Sequence, residues 1–130
     1  MKVIVQNNQE AFDLALAKTV EQGSASYDGS DCMYSADGKR CPVGHLMPDD
    51  ADAELASLDN TLASGGSTDV ETMVKDGHFD IGSVSLPLLI AIQKAHDEAA
   101  LDERDDEEDF AWIFKRNMDR VASKFKLKVN

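Results

Sequence analysis

No part of the chain reaches the roughly 20 consecutive apolar residues that a bilayer-spanning helix requires. The longest apolar run, near Leu86–Ile92, contains Pro87. The opening residues Met1 to Asn7 are too short for the apolar core of a secretory leader and carry no cleavage pattern. These absences lead to the expectation of a cytoplasmic protein, in which two cysteines stay reduced. Aromatics make up only 6% of the chain, so the core must lean on Leu, Ile, Val, Met and Ala. Cations are also scarce: 13 basic residues face 25 acids, for a net charge of -12. A direct nucleic-acid binder needs a basic face to neutralise phosphates, and this balance opposes one. It equally opposes adhesion to an anionic membrane. There is no Walker-type loop, no G-x-G-x-x-G, no internal repeat and no linker between domains.

What is present is consistent with one domain spanning residues 1–130. A chain of this length buries roughly two thirds of its unfolded surface. With 42% hydrophobic residues it has the means to build a core. The acidic excess suits a basic protein partner, or imitation of nucleic acid towards a protein that binds it; the bland alternative is solubility. The charge peaks between Asp97 and Asp109, where nine of thirteen residues are acidic.

The β-branched run Val3-Ile4-Val5 predicts a short strand. Asn7 and Glu10 form a capping pair for a helix reaching Gln22, with Phe12, Leu16 and Val20 on one face and Gly23 as its stop. Leu55, Leu58 and Leu62 predict a short helix within Asp49–Leu62, and a second runs from Val70 to Asp76 before Gly77. Ser85 caps a further helix with Pro87 in its first turn. The last helix, about Asp106–Ser123, buries Phe110, Ile113, Phe114, Asn117, Met118 and Val121. After it, Lys124-Phe125-Lys126-Leu127-Lys128-Val129 alternates strictly, which predicts a half-buried edge strand. The expected fold class is therefore α+β: mostly helical, with a small antiparallel sheet from the termini that a central hairpin could extend.

That hairpin lies in Cys32–Asp49, which holds both cysteines, two of the three prolines and His45. Asp37-Gly38 is a strong turn signal. A two-residue turn sets Tyr34 opposite Cys41, whereas a four-residue loop, Ser35–Gly38, sets Cys32 opposite Cys41. Cys32, Cys41 and His45 offer three zinc ligands, with His78, His96 or an aspartate as a fourth. Their spacing matches no standard finger, and two buried apolar cysteines are the plainer reading. A thiol enzyme or redox switch would use the same cysteines with a histidine and a carboxylate, but no local signature supports it. No residue is assigned as catalytic. His96 lies on an apolar helix face, as a hydrogen-bonded core histidine would. Trp112 sits off the last helix's apolar stripe, where a side chain can anchor a partner.

The pattern Cys32-Met33-Tyr34, then Gly38-Lys39-Arg40-Cys41-Pro42-Val43-Gly44-His45-Leu46-Met47-Pro48-Asp49, resembles a group of small bacteriophage and prophage proteins of unknown function. The likeness extends to Ala11–Gln22, to Leu88–Asp97 and to the Trp112 helix. It implies a phage gene product acting inside a bacterium, and brings no reaction or cofactor. Taken with the charge, the expectation is a non-enzymatic, acidic interaction protein. It would bind and modulate or inhibit a bacterial host protein, one that handles nucleic acid or serves in defence. The expected contact is Asp102, Glu103, Asp105, Asp106, Glu107, Glu108 and Asp109, with Trp112. The alternatives are a zinc-stabilised module on Cys32, Cys41 and His45, or the thiol protein above.

Overall fold

Helix α1, Asn8–Gln22, begins where the capping pair predicts. Asn7 Oδ1 accepts the Glu10 amide at 2.9 Å, and Glu10 reaches back to the Gln6 amide at 3.2 Å. Gly23 ends it in the left-handed region, φ 76°, where a Cβ would be strained. In this computed structural model the described residues are 1–26, 34–36, 38–61, 70–102 and 110–129, without the side chains of 36, 59–61 and 102. Strands β1 (Ser35–Ala36) and β2 (Lys39–Arg40) follow α1, then helices α2 (Pro42–His45), α3 (Asp52–Thr61), α4 (Val70–Lys75), α5 (Leu86–Asp102) and α6 (Phe110–Phe125).

The α+β expectation is overturned: the protein is mostly helical, and among the described residues the termini form no sheet. Among the described residues, the strand ladder is that of β1 and β2, pairing Ser35 with Arg40 and Ala36 with Lys39. The expected N-terminal strand is reduced to one isolated parallel bridge between Lys2 and Asp80. The Val3 amide donates to the Asp80 carbonyl at 3.0 Å, and the next amide, of Ile4, turns away to Leu46 at 2.8 Å. The expected C-terminal strand fails because α6 continues through Phe125. Lys126 then enters the left-handed region, φ 57°, and the Leu127 amide reaches back to the Ala122 carbonyl at 2.9 Å. That is a six-residue helix closure of the Schellman type with lysine where glycine is usual.

The termini thus find separate partners. Residues beyond α6 are held by Gln9 of α1, whose amide oxygen accepts the Lys128 N–H at 2.9 Å and whose amide nitrogen donates to the Lys128 carbonyl at 2.9 Å. One side chain stands where a strand neighbour was expected.

The core is one cluster, including Phe12 and Ala15 of α1, Val43 of α2, Leu55 of α3, Met73 of α4 and Leu88, Leu89 and Ile92 of α5. The stripe predicted for α6 is buried as a set. Helices α5 and α6 make the broadest contact, and Asn117 locks them by donating to the Ala95 carbonyl at 3.1 Å. Burying side chains of this size stabilises by roughly 1.5–3 kcal/mol each. None of the described helices is long and apolar enough to cross a membrane.

Candidate functional site

The central stretch starts with a two-residue turn. Gly38 has φ 78°, and the Cys41 amide donates to the Tyr34 carbonyl at 3.3 Å. Tyr34, not Cys32, therefore stands opposite Cys41. Cys32 itself lies outside the described residues. Cys41 is buried and caps α2: its Sγ accepts the Gly44 amide at 3.4 Å, with Pro42 in the tolerated first position. Gly44 is there for space. A Cβ on it would come within 2.6 Å of the Tyr34 carbonyl oxygen. The C-P-V-G motif is thus a cap, a rigid start, a core residue and a close approach.

Arg40 ties this turn together. It is 8% exposed, and its Nε donates to Asp52 Oδ1 at 2.7 Å. Nη1 donates to the carbonyls of Gly44 at 3.1 Å, Met47 at 3.4 Å and Pro48 at 3.0 Å; Nη2 donates to that of Asp49 at 3.0 Å. Gly44 lies in α2 and also accepts the Met47 amide at 3.1 Å; the other three carbonyls belong to the chain after the helix, which the guanidinium fork gathers. Gln22, the last residue of α1, clamps the other side. Its Oε1 accepts the Arg40 amide at 2.9 Å, and its Nε2 donates to the Arg40 carbonyl at 3.0 Å.

The same Oε1 lies 3.1 Å from His45 Nε2. An amide oxygen only accepts, so Nε2 carries the imidazole proton. The pKa of His45 is lowered from 6.5 to about 4, first by burial, then by the charges of Arg40 and Lys18 and by His96, with Asp52 opposing. Near neutral pH this ring is an uncharged hydrogen-bond donor. A polar recess of about 230 Å³ beside it is lined by Lys18, Gly38, Arg40, His45, Asp49 and Asp52.

A second buried network joins α2, and Ser26 just after α1, to α5. Gln93 Oε1 faces the Val43 amide at 3.5 Å, and Gln93 Nε2 faces Asp97 Oδ1 at 3.4 Å. The same carboxylate oxygen lies 2.9 Å from His96 Nδ1, while His96 Nε2 accepts the Ser26 amide at 3.1 Å. His96 therefore carries its proton on Nδ1. It is fully buried against the edge of Phe110, at 5.7 Å between ring centres. This is the core histidine that its helix position predicted.

The expected metal trio comes only partly into view. Cys41 Sγ is turned to Gly44 and His45 to Gln22. Among the described residues, no three His, Cys, Asp or Glu side chains converge to hold an ion. Of the expected partner contact, Glu103, Asp105, Asp106, Glu107, Glu108 and Asp109 lie outside the described residues, as does the Asp102 side chain. Trp112 is described and stands 62% exposed on α6, with the Arg116 guanidinium 5.3 Å from its ring centre. Sequence reasoning missed Arg40, Gln22 and Gln93. Only the first carries a signal: an arginine between a turn glycine and an apolar Cys-Pro-Val run is placed to be buried. No family model, curated protein or solved structure matches the chain.

Proposed function

We propose that this is a non-enzymatic interaction protein whose acidic exterior binds a basic surface on a bacterial host protein. The proposed contact is the acidic segment 102–109, and the proposed partner is a protein whose basic surface handles nucleic acid or serves in defence. One observation supports this reading above the others: the groups in the central stretch that resemble a reactive site are committed to holding the chain. Cys41 caps a helix, Arg40 gathers carbonyls, and His45 is a neutral donor to Gln22. What that region turns outward is carboxylate, since Asp49, Asp50, Asp52 and Glu54 are all exposed.

The charge distribution supports it too. Residues 115–128 hold six of the thirteen cations and a single acid, leaving 24 acids against seven bases elsewhere. A surface this one-sided speeds encounter with an oppositely charged partner in a salt-dependent way. The bacterial host rests on the resemblance of the Cys-x-Tyr and Cys-x-x-Gly pattern alone.

The test is affinity capture from bacterial lysate, followed by affinity measurement against the captured protein. Replacing the acids of segment 102–109 by lysine should cut affinity at least tenfold and flatten its dependence on salt. Capture that is unchanged in strength and salt response removes the reading.

A further inference from the structure

An apolar hollow of about 400 Å³ opens to solvent between α1 and α6, lined by Asp13, Leu16, Ala17, Val20 and Lys115. Leu16 and Val20 are only partly buried against the core, and Ala17 is exposed. Trp112, also exposed, precedes Lys115 by three residues and so neighbours it on the surface of α6. Tryptophan is among the side chains most enriched where protein interfaces concentrate their binding energy.

The charge around this face selects the sign of its occupant. On α1, Asp13 and the exposed Glu21 extend the row through Ala17 at four-residue spacing. On α6, Lys115 and Arg116 offset them, while Lys18 lines the separate recess beside His45. These four described side chains cancel, so the balance is set by the sequence that leads straight into α6. From Asp102 to Asp109 seven of eight residues are acidic and one is basic, and Asp109 stands three residues before Trp112. With a net charge of -12 on the whole chain, a second copy, a nucleic acid and an acidic peptide are all repelled, and a cationic body is drawn in.

We infer that the α1/α6 recess receives an amphipathic, lysine- or arginine-rich helix of the partner. Its apolar side lies along Leu16, Ala17 and Val20 against Trp112, and its cations face the acidic surroundings. A groove between two helices takes a third through residues at i, i+3, i+4 and i+7. The inference deepens the reading of a basic partner and rests on it: the acids bring the partner in, and the recess holds it.

The probes are synthetic peptides of about 18 residues, long enough to fold as a helix on binding. The first carries leucine at helical spacing and lysine elsewhere. The second has the same composition with the leucines scattered around the helix. The third has serine for leucine, and the fourth glutamate for lysine. Affinities to the full chain are measured by calorimetry at low and high sodium chloride, at concentrations where the peptides are monomeric, with tryptophan emission followed in parallel. The first peptide should bind at least tenfold tighter than the second and third and keep part of its affinity at high salt. It should also move the emission to shorter wavelength as the indole is covered. The fourth should not bind. Ala17→Glu and Trp112→Ala should each weaken the first peptide at least tenfold without weakening the third, and should keep the helical circular dichroism of the parent. Ala17→Glu is the sharper variant because it adds a negative charge, so attraction by charge alone would tighten binding. The two substitutions lie on different helices, so if one loses helicity the other decides.

Equal binding by the first three peptides, an emission maximum indifferent to the first, or undiminished binding to a folded variant overturns the inference while the reading of a basic partner stands. Binding of the fourth peptide in place of the first overturns both. Binding by none of them overturns the inference, and partner capture then decides the reading by itself.

Discussion

The turn from Arg40 to Asp52 and the outer face of α6 treat their polar and aromatic groups in opposite ways. In the first, an arginine, a glutamine, a histidine and a cysteine are matched donor to acceptor inside a few ångströms. In the second, the chain's largest side chain stands 62% exposed, with the Arg116 guanidinium 5.3 Å from its ring centre. The residues whose types most suggest chemistry are thus committed to architecture. The region with the least distinctive motif keeps its contacts available. Buried polar groups must be satisfied, so a dense polar cluster is often a structural solution before it is a reactive one.

The contrast can be broken most forcefully at Arg40. Arg40→Ala removes the guanidinium donors from the carbonyls of Gly44, Pro48 and Asp49, of which Gly44 and Pro48 keep the amides of Met47 and Ala51, and takes this partner from the Asp52 carboxylate. It should cost about 2–4 kcal/mol in urea unfolding, mostly from the lost guanidinium hydrogen bonds, because Asp52 is largely exposed. Arg40→Lys should recover less than half of that, since an ammonium cannot reproduce the fork. A loss below about 1 kcal/mol for Arg40→Ala would mean that the turn does not depend on the guanidinium.

Gly44→Ala comes next. The added methyl meets the Tyr34 carbonyl oxygen, a backbone atom that cannot swing aside. A loss of about 2–3 kcal/mol by thermal or chemical unfolding is expected.

A smaller effect comes from pH. The folded pKa of His45 is about 4, against 6.5 for the free side chain. Between those values the unfolded chain binds the extra proton, so stability falls as pH drops from about 6.5 towards 4 and levels off below. The ring is partly open to solvent, and screening discounts the effect to about 1–2 kcal/mol. Comparing the pH dependence of unfolding with that of His45→Gln isolates it, because the variant should lack this share of the slope.

The least change is expected at the far end of α6. Lys126 holds a left-handed conformation that costs a non-glycine residue about 1 kcal/mol. Lys126→Gly should therefore stabilise slightly, by about 0.5–1 kcal/mol once the added freedom of the unfolded glycine is included. A destabilised variant would show that the lysine side chain contributes more than its backbone strain takes away.

Local signals in the sequence were enough for much of the helical frame. Asn7 with Glu10, Gly23, Gly77 and Ser85 mark boundaries through short-range hydrogen bonds or backbone freedom, and the buried stripe from Phe110 to Val121 follows from helical periodicity. The expected C-terminal strand fails because alternation is a two-residue period that a helix end can imitate. Phe125 falls one turn beyond Val121 and continues the helix, which leaves the following lysines no strand to align with. Cys41, Gly44 and His45 were visible as a cluster, but their roles depend on what approaches from elsewhere. The Tyr34 carbonyl and the Gln22 amide reach them across the hairpin and from the end of α1, and no spacing within Cys41–His45 encodes that.

The Gln9 clasp on Lys128 sets the rate at which the segment after α6 can come loose. Two backbone groups there are held by a single flexible amide, so release needs one side-chain rotation rather than the peeling of a ladder. Hydrogen–deuterium exchange at the Lys128 amide should therefore be gated by a rotamer and run far ahead of exchange along α6.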